Sequence, residues 1–109
     1  MSNITISVFM SYLVENRARN LPPDALAEVF DRLIWCMSDN GEEISNERRN
    51  WLSGDDLFKV EIALAMKETF PCNTRDEMLS KIESIIRKWP GLQNRCNMIL
   101  SEWDKQLKK

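Results

Sequence analysis

Histidine is absent from this chain of 109 residues, and it holds only three cysteines, three glycines and four prolines. Each scarcity closes off a class of function. Without histidine, acid–base catalysis near neutral pH loses its usual proton carrier, and the zinc sites that mix histidine with cysteine are excluded. Cys36, Cys72 and Cys96 are odd in number, widely spaced and form no C-x-x-C pair. Neither an all-cysteine metal site nor a disulfide framework can be completed from them. They are expected to be reduced thiols in a cytoplasmic protein. Cys36 and Cys96 are expected on or near apolar helical faces, and Cys72, in the turn after Pro71, is expected to be the one exposed thiol. No phosphate-cradling glycine loop is present. The opening MSNITISVFMSYLVENRAR has no basic leader and is broken by polar residues, so neither a signal peptide nor a membrane span is expected. No apolar run approaches the roughly 20 residues a membrane helix needs.

What remains is the pattern of a helical protein. Hydrophobic residues make up 43% and charged residues 29% of the chain, ordinary values for a globular domain. Ile6, Phe9, Met10, Leu13 and Val14 fall on one face of a helix expected over 3–19, with Ser2 or Thr5 as its cap. Leu21-Pro22-Pro23 ends it. A second helix follows over 23–38, with Asp24 at its positive end and Leu26, Val29, Phe30, Leu33, Ile34 and Met37 as its core face. Asp39-Asn40-Gly41 reads as a turn. A short helix over 46–52, capped by Ser45, comes next. The fourth, expected over 54–70 with Ser53 as cap, is apolar around most of its circumference and so should be the central one. Thr74 and Glu77 form a capping box for a fifth helix, which Trp89-Pro90-Gly91 stops. A sixth carries Leu92, Cys96, Ile99, Leu100, Trp103 and Leu107. No stretch alternates with period two. The expected fold is therefore all-α, a single domain over 1–109 of five to six antiparallel helices packed around the helix at 54–70.

Charge is unevenly spread. Residues 1–23 sum to +1, residues 24–56 to −6 and residues 57–109 to +3. The acidic block holds SDNGEEISNERRNWLSGDD, where Asp39, Glu42, Glu43, Glu47, Asp55 and Asp56 stand against Arg48 and Arg49, with Trp51 among them. Turn and helix-cap chemistry accounts for Asp39, Asp55 and Asp56. Glu42, Glu43 and Glu47 have no local explanation, and clustered acids beside an aromatic offer electrostatic steering with an anchor. The segment fails the ligand spacing of a calcium loop, and no pair of carboxylates is singled out for hydrolysis. The expected partner-binding residues are thus Asp39, Glu42, Glu43, Glu47, Trp51, Asp55 and Asp56, with no catalytic, metal or cofactor residues and no small-molecule substrate.

With WLSGDDLFKVEIALAMKETFP as a Trp-and-acid lead into a buried helix, the whole chain resembles the small, acidic, all-helical immunity proteins of bacterial contact-dependent growth inhibition and related polymorphic toxin systems. The resemblance transfers no functional residue one by one. It implies a cytoplasmic protein that binds one cognate toxin domain, often a nuclease, and covers its active site or substrate groove. A basic groove of that kind would attract an acidic surface over long range. An alternative follows from Lys81, Arg87, Lys88, Arg95, Lys105, Lys108 and Lys109 on the last two helices, with Trp89 and Trp103 among them: a small regulator or adaptor binding nucleic acid. Interspersed acids and a sequence pI near 5.2 weigh against a phosphate footprint there, and no direct nucleic-acid contact is expected.

Overall fold

The computed structural model describes residues 5–67, 72 and 74–107. The candidate cap Ser2, the expected start at Asn3, Phe70 and Pro71 at the expected end of the fourth helix, and the basic Lys108–Lys109 tail lie outside them. Every regular element among the described residues is helical: α1 (Ile6–Glu15), α2 (Pro23–Cys36), α3 (Glu42–Leu52), α4 (Leu57–Ala65), α5 (Arg75–Lys88), a 3-10 turn (Pro90–Leu92) and α6 (Gln93–Leu107). The chain is all-α, as its periodicity indicates. The helices fall into two compact units that divide between residues 68 and 69.

In the first unit α4 packs against α2 and α3, while α1 lies on α3 and α2. The expected central helix is central here. Its Val60, Ile62, Ala63 and Leu64 are buried, together with Phe30 and Ile34 of α2, Ile44, Trp51 and Leu52 of α3, and Met10 and Val14 of α1. Removing each large apolar side chain from water contributes roughly 1.5–3 kcal/mol. Phe30 and Trp51 meet edge to face, their ring centroids 5.8 Å apart. The second unit joins α5 and α6 through the 3-10 turn, with Met78, Ile82, Ile85, Leu92, Cys96, Ile99 and Trp103 buried. Thr74 caps α5 as expected, its hydroxyl accepting from the Glu77 amide at 3.2 Å. A two-pronged pair between Arg75 and Asp104, at 2.9 and 3.3 Å, ties α5 to α6.

Helix ends depart from the expected ranges where side chains take over backbone partners. α1 stops at Glu15, short of residue 19. Both the amide and the side-chain Nδ2 of Asn16 donate to the Tyr12 carbonyl, and Arg17 donates to the Val14 carbonyl at 2.6 Å. α3 starts at Glu42 rather than 46, and Ser45 is not its cap: the Ser45 amide already donates to the Gly41 carbonyl at 2.9 Å inside the first turn. α4 is capped by Asp56, whose Oδ1 accepts from the Phe58 and Lys59 amides, and not by Ser53. It also ends at Ala65, five residues before the expected limit. The cause is Arg48, fully buried, which donates from Nε to the Ala63 carbonyl at 2.7 Å and from Nη2 to the Met66 carbonyl at 2.8 Å. The Lys67 amide is drawn to buried Asp31 at 2.9 Å. Backbone groups that a longer helix would pair internally are held by α3 and α2 instead.

Candidate functional site

The seven residues expected to bind a partner are divided by the fold. Asp39 lies in the turn between α2 and α3, where its carboxylate accepts from the Gly41 amide at 2.9 Å and the Glu43 amide at 3.1 Å. Those bonds, chiefly the one from Glu43, hold its carboxyl below the ordinary carboxylate range, so it is charged whenever the site meets neutral solvent. Gly41 makes this turn feasible. Its φ of +78° is a left-handed conformation, and a Cβ there would come within 2.7–2.9 Å of the Ile34 side chain. The first turn of α3 is thereby seated against α2. Glu42 and Glu43 follow at the positive end of α3, both exposed.

Glu47 and Trp51 are the two corrections. Ile44, Glu47, Arg48, Trp51 and Leu52 form the inward stripe of α3, at the spacing of a single helical face. Glu47 is 7% exposed and Trp51 5%. Glu47 accepts from the side-chain amide of Asn50 at 3.3 Å. Trp51 is walled in by Phe30 and by Lys59, whose ammonium lies 5.3 Å from its ring centre while also donating to Ser11 at 3.3 Å. Neither side chain meets a partner without opening the core. Trp51 is a core residue.

Asp55 and Asp56 are exposed, but at the other end of α3. A helix of 11 residues spans about 16 Å at 1.5 Å per residue, about twice the screening length of physiological salt. Asp39, Glu42 and Glu43 therefore act as one patch, and Asp55 with Asp56 as another. Among the described residues no three Cys, Asp or Glu side chains converge as a metal site, and no helix is long and apolar enough to cross a membrane.

A residue outside the expected set is the more exposed aromatic. Trp35, in the last turn of α2, is 74% exposed. Its signal was in the sequence: it falls off the stripe of Leu26, Phe30 and Ile34 that faces the core. Among the thiols, Cys36 beside it is exposed, Cys72 is half-buried and Cys96 is buried. Cys36, not Cys72, is thus the open thiol, because position 36 turns outward with Arg32. Burial pushes the Cys96 thiol up to about 11. In the second unit Trp103 belongs to the core and Trp89 is half-buried, with the Lys88 ammonium 5.7 Å from its ring centre.

No family model, curated protein or solved structure matches this chain.

Proposed function

We propose that this protein is an inhibitor of the immunity type, which neutralises a toxin domain by laying an acidic surface over a basic active site or substrate groove, inside the cytoplasm. One observation carries the reading: the first unit concentrates acid, twelve Asp and Glu against seven Lys and Arg over residues 1–68, with Glu42, Glu43, Asp55 and Asp56 all exposed. Such a surface raises association rates with a basic partner by tenfold to a thousandfold, on the order that electrostatic steering supplies. Inhibition by occlusion asks no chemistry of the inhibitor. The test is to sequence the neighbouring reading frames and co-express this protein with a toxin domain found there, together with stopped-flow association of the purified pair. Growth is expected to be rescued, with association slowing as salt rises. Failure to bind or protect would remove the reading.

A second reading, nucleic-acid binding, is favoured by the second unit's eight bases against five acids over residues 69–109. It is the weaker one, because Arg75 pairs with Asp104, Lys105 lies 3.6 Å from Glu102, and Trp103 is withdrawn into the core. A mobility shift on DNA or RNA at low salt would favour it over the inhibitor.

A further inference from the structure

We propose that the outward face of α2 around Trp35, together with Asp39, Glu42 and Glu43, is the docking surface of this protein, and that its occupant is a basic protein surface. The proposal deepens the inhibitor reading and rests on it only for the partner's being a toxin. Leu26, Ala27, Phe30, Asp31 and Ile34 turn α2 inward, which leaves Glu28, Arg32, Trp35, Cys36 and also Val29, expected on the core face but exposed, on the face away from the core. The Glu28–Arg32 pair, 3.0 Å apart, satisfies its own charges and adds no net sign.

Tryptophan is the residue type most enriched in the energetic centres of interfaces. At 74% exposure, Trp35 leaves on the order of 150 Å² of its side chain facing water, taking the middle of the range of aromatic areas. The turn to α3 then places acids beside it. Gly41 closes directly onto Ile34, the neighbour of Trp35, so Asp39, Glu42 and Glu43 stand at the same end of the unit as the indole. Aromatic anchor and acids thus share one end of the unit through α2 and the turn, whereas Trp51 is sealed inside. A partner complementary to this end presents lysine or arginine around an apolar seat. Charge complementarity of that kind sets approach and register, and the aromatic sets dissociation.

The experiment expresses the full chain in its host with photo-reactive p-benzoylphenylalanine replacing Trp35, or replacing Tyr12, 60% exposed on α1, as the control position. After irradiation the crosslinked peptides are sequenced. The expected product joins position 35 to a Lys/Arg-rich segment of another protein, is absent at position 12, and disappears when Glu42→Lys and Glu43→Lys are added. That protein, purified, is expected to bind the Trp35→Ala chain about thirtyfold more weakly, the loss typical of an interface centre. The proposal is overturned by no adduct at position 35, by an adduct to nucleic acid, to a second copy of this chain or to a neutral or acidic segment, or by adducts indifferent to the charge reversal. A basic partner that is no toxin leaves the surface standing and removes the inhibitor reading. A toxin captured at position 12 and not at 35 does the reverse.

Discussion

Arg48→Met is the substitution that most directly probes what holds the first unit together. Methionine approximates the arginine stem but removes the guanidinium, leaving the carbonyls of Ala63 and Met66 without the bonds they now accept at 2.7 and 2.8 Å. Hydrogen bonds from a charged donor contribute about 1.5–3 kcal/mol each, so the pair is worth about 3–6 kcal/mol in gross terms. Against this stands the desolvation of a guanidinium that is wholly inside the protein, part of which the substitution returns. The net expected loss is about 2–5 kcal/mol, a large share of the 5–15 kcal/mol that holds a typical domain folded. At roughly 4–8 °C per kcal/mol for a unit of this size, the melting temperature should fall by at least about 8 °C. Urea and thermal unfolding followed by circular dichroism would read it, with hydrogen exchange at the Lys67 amide as the local probe. Arg49→Met, one position on but exposed, should change stability by less than about 0.5 kcal/mol. Arg48→Lys, which keeps the charge but loses the fork, should fall between them. A wild-type or higher stability for Arg48→Met would refute the reasoning: the buried charge would then cost more than its bonds return, as happens for some buried ion pairs.

Three further outcomes are open to measurement. Gly41→Ala should destabilise the chain by about 2–4 kcal/mol, through the left-handed backbone and the overpacking against Ile34. In a double-mutant cycle Ile34→Ala should recover part of that loss, since it vacates the space, while additive losses would place the strain elsewhere. A maleimide at pH 8 should label Cys36 in the native protein and leave Cys96 untouched until denaturant is added. Because burial raises the Cys96 thiol from 9.0 to about 11, its contribution to stability is present below pH 9 and is lost as pH rises through the folded value. The Cys96→Ser protein should lack that alkaline component of the unfolding curve.

Most of the fold was legible because its core is written in one alphabet. α2, α5 and α6 carry leucine, isoleucine, phenylalanine and tryptophan at helical spacing, and Thr74 and Pro90 mark their limits through backbone chemistry that depends on few neighbours. The sequence pattern makes α3 look short for a definite reason. Its inward stripe at positions 44, 47, 48, 51 and 52 contains a glutamate and an arginine, and a hydrophobic pattern search treats both as solvent-facing. Burying them depends on partners far along the chain: Arg48 reaches carbonyls 15 and 18 residues away. No local rule supplies that information. The end of α4 was missed for the same cause, since LFKVEIALAMKETF has the apolar content to continue and only Arg48 and Asp31, from two other helices, take the backbone groups at its end.

The same distinction explains the reassignment of the site. Clustering along the sequence brought six acids and Trp51 into one stretch, but an α-helix separates neighbours in sequence by rotation and by rise. Rotation sent Glu47 and Trp51 inward, while rise carried Asp55 and Asp56 to the far end of α3. What stayed together at the near end are Asp39, Glu42 and Glu43, at the end of the unit where the preceding helix carries Trp35. An aromatic helps binding only where it can be newly desolvated by a partner, and Trp51 has already spent that gain on Phe30 and the core. Trp35 has not. Asp39, Glu42 and Glu43 lie at the end of α3 that packs on the last turn of α2, the turn that carries Trp35, so of the acids in the original segment these three are the ones proposed to share an interface with it.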